Sequence, residues 1–377
     1  MCSSDETQNP PRSQNLQQQQ GGEHETSNPE IEEIHGFQQF GFVSDSSDHY
    51  YATRNNNVSG GGDAFKDHKS RVYKKIMQEW RILKTHLPDT IYVRAYENRI
   101  DLMRAAIVGA AGTPYHDGIF FFDIAFPTDY PARPPLIHYR SFGLRINPNL
   151  YASGLVCLSL LNTWHGKKSE IWSPSGSTML QVLVSIQGLV LNEKPYYNEP
   201  GTGVWPGRGY WDKRSNAYSE DVFVLCCKTM MFLMRRVPKN FEGFVAAHFR
   251  VTAPAILSAC KAYMEGRASV GHYYASNVVD HDGSSSSSSL VQVSDKFKGA
   301  MRKLFPDLVD AFARSGASVG NFVEQVAVER NANPHDVVDR KKKGGMGKWV
   351  WGKLKNALGF KKKKKKNSGK NKASSSK

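Results

Sequence analysis

Four strand-like segments follow one another between residues 90 and 139, and no gap between them is long enough for a crossover helix. They are Thr90 to Ala95, Leu102 to Val108, Ile119 to Ala125 and Leu136 to Tyr139. Parallel neighbours need a connection of about a dozen residues or more, usually helical. Here the segments are separated by turn residues, notably Gly109 to Gly118, so the expected arrangement is a four-stranded antiparallel meander.

Helices are expected on both sides of it. From Phe65 to His86, the residues Val72, Ile76, Trp80 and Leu83 recur at helical spacing as a core-facing stripe, and Pro88 ends the helix. After the strands, Ser177 is placed to cap a helix with Met179, Val182, Leu183, Ile186, Leu189 and Val190 on one face. A further helix is expected from about Ala217 to Arg236, with helical pieces to about Gly266. The fold class is therefore α+β.

The flanks differ in composition. Residues 1–63 are rich in Gln, Ser, Asn and Gly and are expected to be disordered. Within them Ile31, Ile34, Phe37, Phe40 and Phe42 form an apolar island, read either as solvated chain or as a short docking motif. Residues 64–270 form the main domain with a helical extension, 271–294 a Ser-rich linker, 295–330 a short helical segment that Phe305-Pro306 interrupts, and 331–377 a basic tail.

The net charge of +15 is confined to that tail. From Arg340 to the end there are 16 Lys and Arg and no acidic residue, which leaves 34 basic residues against 35 acidic ones elsewhere. A nearly neutral body with one cationic end describes an interaction device, not a fold determinant. Trp349, Trp351 and Phe360 are interleaved with lysines ahead of six consecutive lysines. That pattern suits a helix on an anionic membrane surface, at about 1 kcal/mol per basic residue. The same lysines suit nuclear import or non-specific nucleic-acid binding. The expected location is cytoplasmic, nuclear or both, with peripheral membrane contact as a further reading.

Five scattered cysteines argue against a disulfide framework, and their spacing suits no zinc site. No uninterrupted apolar run approaches ~18 residues, so no membrane-spanning helix is expected. The first residues lack the apolar segment of a secretory signal.

The chemistry centres on Asn147-Pro148-Asn149, followed eight residues later by Cys157. A thiol needs little activation to attack an acyl group, because even unperturbed it is a few per cent thiolate near neutral pH. A carboxamide beside it can donate to the oxyanion formed in acyl transfer, which typically contributes about 2.7–4 kcal/mol. Together they suit a thioester carrier.

Several segments in order place this pair in context. They are the first helix, Phe121 to Pro127, Tyr130-Pro131-Ala132-Arg133-Pro134-Pro135, the Asn-Pro-Asn turn, Cys157 to Gly166, Trp172-Ser173-Pro174 and Asn198-Glu199-Pro200-Gly201. On these the chain resembles the ubiquitin-conjugating enzymes, over about residues 65 to 235, and within them the large, long-chain plant-type branch. The resemblance implies the ubiquitin-conjugating fold, with Cys157 accepting the C-terminal glycine of ubiquitin from the activating enzyme and passing it to a substrate lysine. It makes Asn149 the oxyanion donor and Glu199 the carboxylate that orients the acceptor lysine. Asn147 stands where the family usually has a loop-pinning His, and Ser159 where Asp is frequent. The resemblance assigns Lys74 and Lys75, with Lys69 and Arg71, to the activating enzyme, and Phe126, Pro127, Ser173 and Pro174 to ligase docking. Trp172 reads as core. It supplies no catalytic base, and His165 is the histidine nearest to Cys157 downstream. The implied partners are ubiquitin, its activating enzyme, a ligase and protein substrates. No bound cofactor or metal is implied, since ATP is consumed by the activating enzyme. An inactive ubiquitin- or ligase-binding relative, and an adaptor acting through the basic tail, are the alternatives.

Overall fold

The computed structural model describes residues 36–52, 65–164, 166–167, 169–200, 202, 209–273 and 291–332. His165, Cys2, most of the N-terminal region and the basic tail lie outside the described residues.

The sheet has five strands, in the spatial order β1-β2-β3-β4-β5. They are β1 (Phe40–Val43), β2 (Ile91–Tyr96), β3 (Arg99–Val108), β4 (Ile119–Ala125) and β5 (Leu136–Tyr139). β2 to β5 are the expected antiparallel meander. β1 is an addition: it pairs parallel with β2, Phe40 opposite Val93 and Val43 opposite Tyr96, so the sheet is mixed. The apolar island thus contributes an edge strand, and residues 36–52 belong to the fold, not to a disordered region ending at residue 63. A parallel pair needs a long crossover, and the first helix lies within it.

That helix, α1 (Arg71–His86), starts after Ser70, whose hydroxyl accepts from the Tyr73 N–H at 3.1 Å. Val72, Ile76, Trp80 and Leu83 are all buried. They pack on the inner sheet face, made by Val93, Ala95, Met103, Ala105, Ile107, Phe120, Phe122 and Ile124. The same core takes in α2 (Met179–Ser185), which continues into a wider turn over Ile186–Val190. Its cap is Thr178 rather than Ser177, because a reciprocal box with Gln181 satisfies the first turn.

The outer face is covered too. Tyr92, Ala106, Ile119 and Phe121 pack against a helical layer of α3 (Gly209–Arg235), α4 (Glu242–Glu265), α5 (Asp295–Arg314) and α6 (Gly320–Ala332). The Tyr92 and Phe244 rings lie 4.2 Å apart, and those of Phe121 and Phe241 lie 5.0 Å apart. By length and hydropathy α4 is apolar enough to cross a membrane, but its apolar residues belong to this second core. Pro306 does not interrupt α5, contrary to expectation. Phe297, Met301, Leu304, Leu308 and Phe312 carry one buried stripe across it, and that packing outweighs the lost hydrogen bond.

The rest of the outer face lies under residues 44–52. Arg104, fully buried in β3, forks onto Asp123 of β4 at 2.6 and 3.2 Å and reaches Asp48 at 2.8 Å. The Tyr50 N–H also donates to Asp123, and the Tyr50 ring stacks on His138 at 3.4 Å. Lys239, between α3 and α4, holds the same segment through Asp45 at 2.7 Å. Phe37 sits among Tyr92, Phe241 and Phe244, with the Arg94 guanidinium 3.9 Å above its ring. Burial pulls that guanidinium down to about 10.

Candidate active site

Cys157 lies in the irregular stretch between β5 and α2, and its backbone is fixed on both sides. Its N–H donates to the Asn149 carbonyl at 2.9 Å, and Asn149 Nδ2 donates to the Cys157 carbonyl at 3.0 Å. The Thr163 hydroxyl accepts from the Leu158 N–H at 2.9 Å and donates to the Val156 carbonyl at 2.8 Å. Gly154 turns the chain with φ +92°, and a Cβ there would meet the His138 ring at 2.0 Å, so no other residue fits.

Asn147 anchors the turn from beneath. Its Nδ2 donates to the Tyr115 hydroxyl and to the Val190 carbonyl, both at 2.7 Å, and its Oδ1 accepts from the Asn149 N–H at 2.8 Å. An amide side chain has both a donor and an acceptor end, and here both are used. The turn is thereby tied to the loop after β3 and to the end of the α2 segment.

Cys157 is 5 % exposed, between buried Val156 and Leu158. Burial pushes its thiol up, while a hydrogen bond from Tyr151 and the charge of Arg145 act the other way. Burial pushes Cys226 and Cys260 much further, and these two, with Cys227, lie in the helical layer. A thiolate is therefore easier to form at Cys157 than at either.

Glu199 follows a short helical turn at Pro195–Asn198 and is about half exposed. Its carboxylate faces Arg145 at 3.4 Å. Asn198 is committed elsewhere: it donates to Val190 at 3.1 Å and accepts from Asn192 at 2.7 Å. Asn149 has its amide on the Cys157 backbone, so in the resting molecule it holds the loop rather than pointing at the sulfur, and its Oδ1 is buried without a partner.

Two of the assignments implied by resemblance fall on residues with little exposed surface. Lys75 is only 13 % exposed and pairs with the buried Glu79 at 3.0 Å, whereas Lys74, Arg71 and Lys69 are exposed. Phe126 and Pro127 are buried, the Phe126 ring packing 4.7 Å from Tyr130. The exposed residues of that loop are Asp129, Ala132 and Arg133. Ser173 and Pro174 are exposed, and the buried Trp172 donates from Nε1 to the Pro131 carbonyl at 2.7 Å, tying the two loops together. Arg145, Tyr151, Thr163 and Tyr115 carry no signal in the sequence, because the folded loops and not a residue pattern set them against their partners. Among the described residues no group of three or more His, Cys, Asp or Glu could hold a metal ion.

Comparison with known proteins gives the site a family. The family model for ubiquitin-conjugating enzyme matches residues 75–205. The chain is 56% identical over 230 residues to the probable ubiquitin-conjugating enzyme E2 25 of Arabidopsis thaliana, a match covering 61% of this chain and 37% of that protein. It is 48% identical over 283 residues to the putative ubiquitin-conjugating enzyme E2 38 of the same plant, covering 75% of this chain and 83% of the relative. With the putative ubiquitin-conjugating enzyme E2 39 the identity is 53% over 235 residues, covering 62% and 72%. The chain thus spans little more than a third of the first relative and most of the other two. On the site geometry and on these identities, the chain belongs to the ubiquitin-conjugating enzyme family.

Proposed function

We propose that this protein carries ubiquitin as a thioester on Cys157 and transfers it to substrate lysines, with or without a ligase. The observation that carries this reading is the clamped thiol. Cys157 is held by paired hydrogen bonds to Asn149, with Arg145 and Tyr151 close enough to act on its thiol and the Glu199 carboxylate paired with Arg145 at 3.4 Å. In loading, the Cys157 sulfur attacks the acyl carbon of the thioester on the activating enzyme, and that enzyme's thiol leaves. The exchange is near thermoneutral, since one thioester replaces another. In transfer, a lysine nitrogen attacks the same carbon and the Cys157 sulfur leaves.

Asn149 serves the second step when its Nδ2 turns from the Cys157 carbonyl towards the oxyanion. A hydrogen bond shifts rather than forms from nothing, and a single donor of this kind contributes about 2.7–4 kcal/mol. Lys74, on the exposed side of α1, suits the activating enzyme. The joined loops with Ala132, Arg133, Ser173 and Pro174 at the surface suit a ligase. The tail beyond Arg340 suits an anionic membrane surface, its indole rings favouring this over an import address. Cytoplasm and nucleus are the compartments in which these partners would be met.

The test is charging. Incubation with activating enzyme, ubiquitin and ATP should give an adduct that dithiothreitol removes. Cys157→Ser should give a more durable ester or none, while Cys226→Ser and Cys227→Ser should charge normally. An adduct that persists in Cys157→Ala overturns the assignment. Deleting residues 340–377 should leave charging intact.

A further inference from the structure

Arg145 enters the site from the chain leading into the Asn-Pro-Asn turn. Its Nη2 donates to the Pro148 carbonyl at 3.0 Å and lies 3.4 Å from Glu199 Oε2. The guanidinium sits 4.5 Å over the Tyr151 ring, and both Tyr151 and the Arg145 charge act to lower the Cys157 thiol. One side chain therefore touches the turn that holds Asn149, the loop that holds Glu199 and the ring beside the sulfur. Among the described residues it is the ion-pair partner of Glu199. Both members are about half exposed, and pairs so exposed contribute little to folding. The contact is thus poorly explained as a stabiliser of the fold. It joins two segments of the site that meet again where Asn198 Nδ2 donates to Asn147 Oδ1 at 3.4 Å.

We propose that Arg145 is a positioning residue for ubiquitin transfer, holding the Glu199 carboxylate beside the Cys157 sulfur on the path of the incoming amine. The proposal rests on the reading of Cys157 as the carrier. In the transfer step the lysine nitrogen forms a bond to the thioester carbon. The carbon–sulfur bond breaks and its electron pair leaves on Cys157 Sγ. The surplus proton on nitrogen passes to the Glu199 carboxylate and from there to water. Arg145 touches neither the amine nor the carbonyl. It fixes where the proton acceptor stands, and a displacement of about 1 Å at such a group costs on the order of a hundredfold in rate.

The experiment is a double-mutant cycle read in single turnover. Wild-type protein, Arg145→Ala, Glu199→Gln and the double variant are charged with ubiquitin, charging is stopped by removing ATP, and discharge onto free lysine is followed from pH 6 to 9. Arg145→Ala is expected to slow discharge roughly 10- to 100-fold in the wild-type background. Once Glu199 is Gln, the same change should have less than about a threefold effect. The pH dependence of discharge should be altered alike in both single variants, a signature that loosened folding does not give. If Arg145→Ala proves unstable, Arg145→Gln, which can keep the Pro148 hydrogen bond without the charge, takes its place. An equal slowing in both backgrounds, or none, overturns the proposal while leaving the carrier reading intact. A wild-type protein that accepts no ubiquitin overturns the carrier reading, and this proposal with it.

Discussion

Replacing Glu79 with Ala tests how α1 is locked to the rest of the catalytic core. Glu79 is fully buried, and its carboxylate has three partners: Lys75 Nζ at 3.0 Å, the Tyr130 hydroxyl at 2.8 Å and the Met179 N–H at 2.9 Å. These reach the same helix, the Tyr-Pro loop and the first residue of α2. Without the carboxylate, a hydroxyl and an N–H are buried unsatisfied and a nearly buried ammonium loses its counter-charge. Each hydrogen bond to a charged group is worth about 1.5–3 kcal/mol, but the three share one acceptor group and do not add. Breaking a buried pair from one side costs about 3–5 kcal/mol. We take roughly 3–5 kcal/mol as the expected loss, which lowers Tm by roughly 6–20 °C for a body of this size. Glu79→Gln keeps an acceptor and should lose roughly half as much. Guanidinium denaturation followed by tryptophan fluorescence, with the slope held constant, measures both. A loss below about 1 kcal/mol for Glu79→Ala would refute the three-way lock.

Two further outcomes follow from the outer face of the sheet. Phe37→Ala removes a half-buried ring that meets Tyr92, Phe241, Phe244 and Arg94, and should cost about 2 kcal/mol in the same denaturation assay, against a negligible change for Gln38→Ala at an exposed neighbour. His49 and His248 are both held below the ordinary histidine range, first of all by burial, so the fold keeps them neutral. Below about pH 6.5 the unfolded chain takes up protons that the folded chain refuses, and stability should therefore fall as pH drops from that point. Denaturation midpoints at pH 7.5 and 5.5 measure this, and equal midpoints would contradict it.

The meander and both central helices could be read from sequence because their cues are local. Stripe spacing gave Val72, Ile76, Trp80 and Leu83, and turn residues separated the strands. What escaped depends on distant chain. β1 pairs with a strand about fifty residues later, and its Gln- and Gly-rich surroundings hide it. Lys75 looks like an exposed helical cation until Glu79 is seen to be buried one turn away. Phe126 sits in a loop motif, but its ring points into the core. Cys157, Asn149 and Glu199 were singled out by motif, and the fold clamps the first two to each other. Arg145 and Thr163 carried none, since only the folded loop sets them against their partners.

The two-sided covering of the sheet limits how this protein can be taken apart. A minimal fragment trimmed to residues 75–205 would discard β1, Asp48 and every helix of the outer layer. Tyr92, Phe121 and Ile119 would then face water, and Arg104 would lose one of its two carboxylate partners. Such a fragment should be sticky and poorly folded, even though it contains Cys157, Asn149 and Glu199. Swapping the catalytic portion between relatives would meet the same obstacle unless both flanking segments travelled with it.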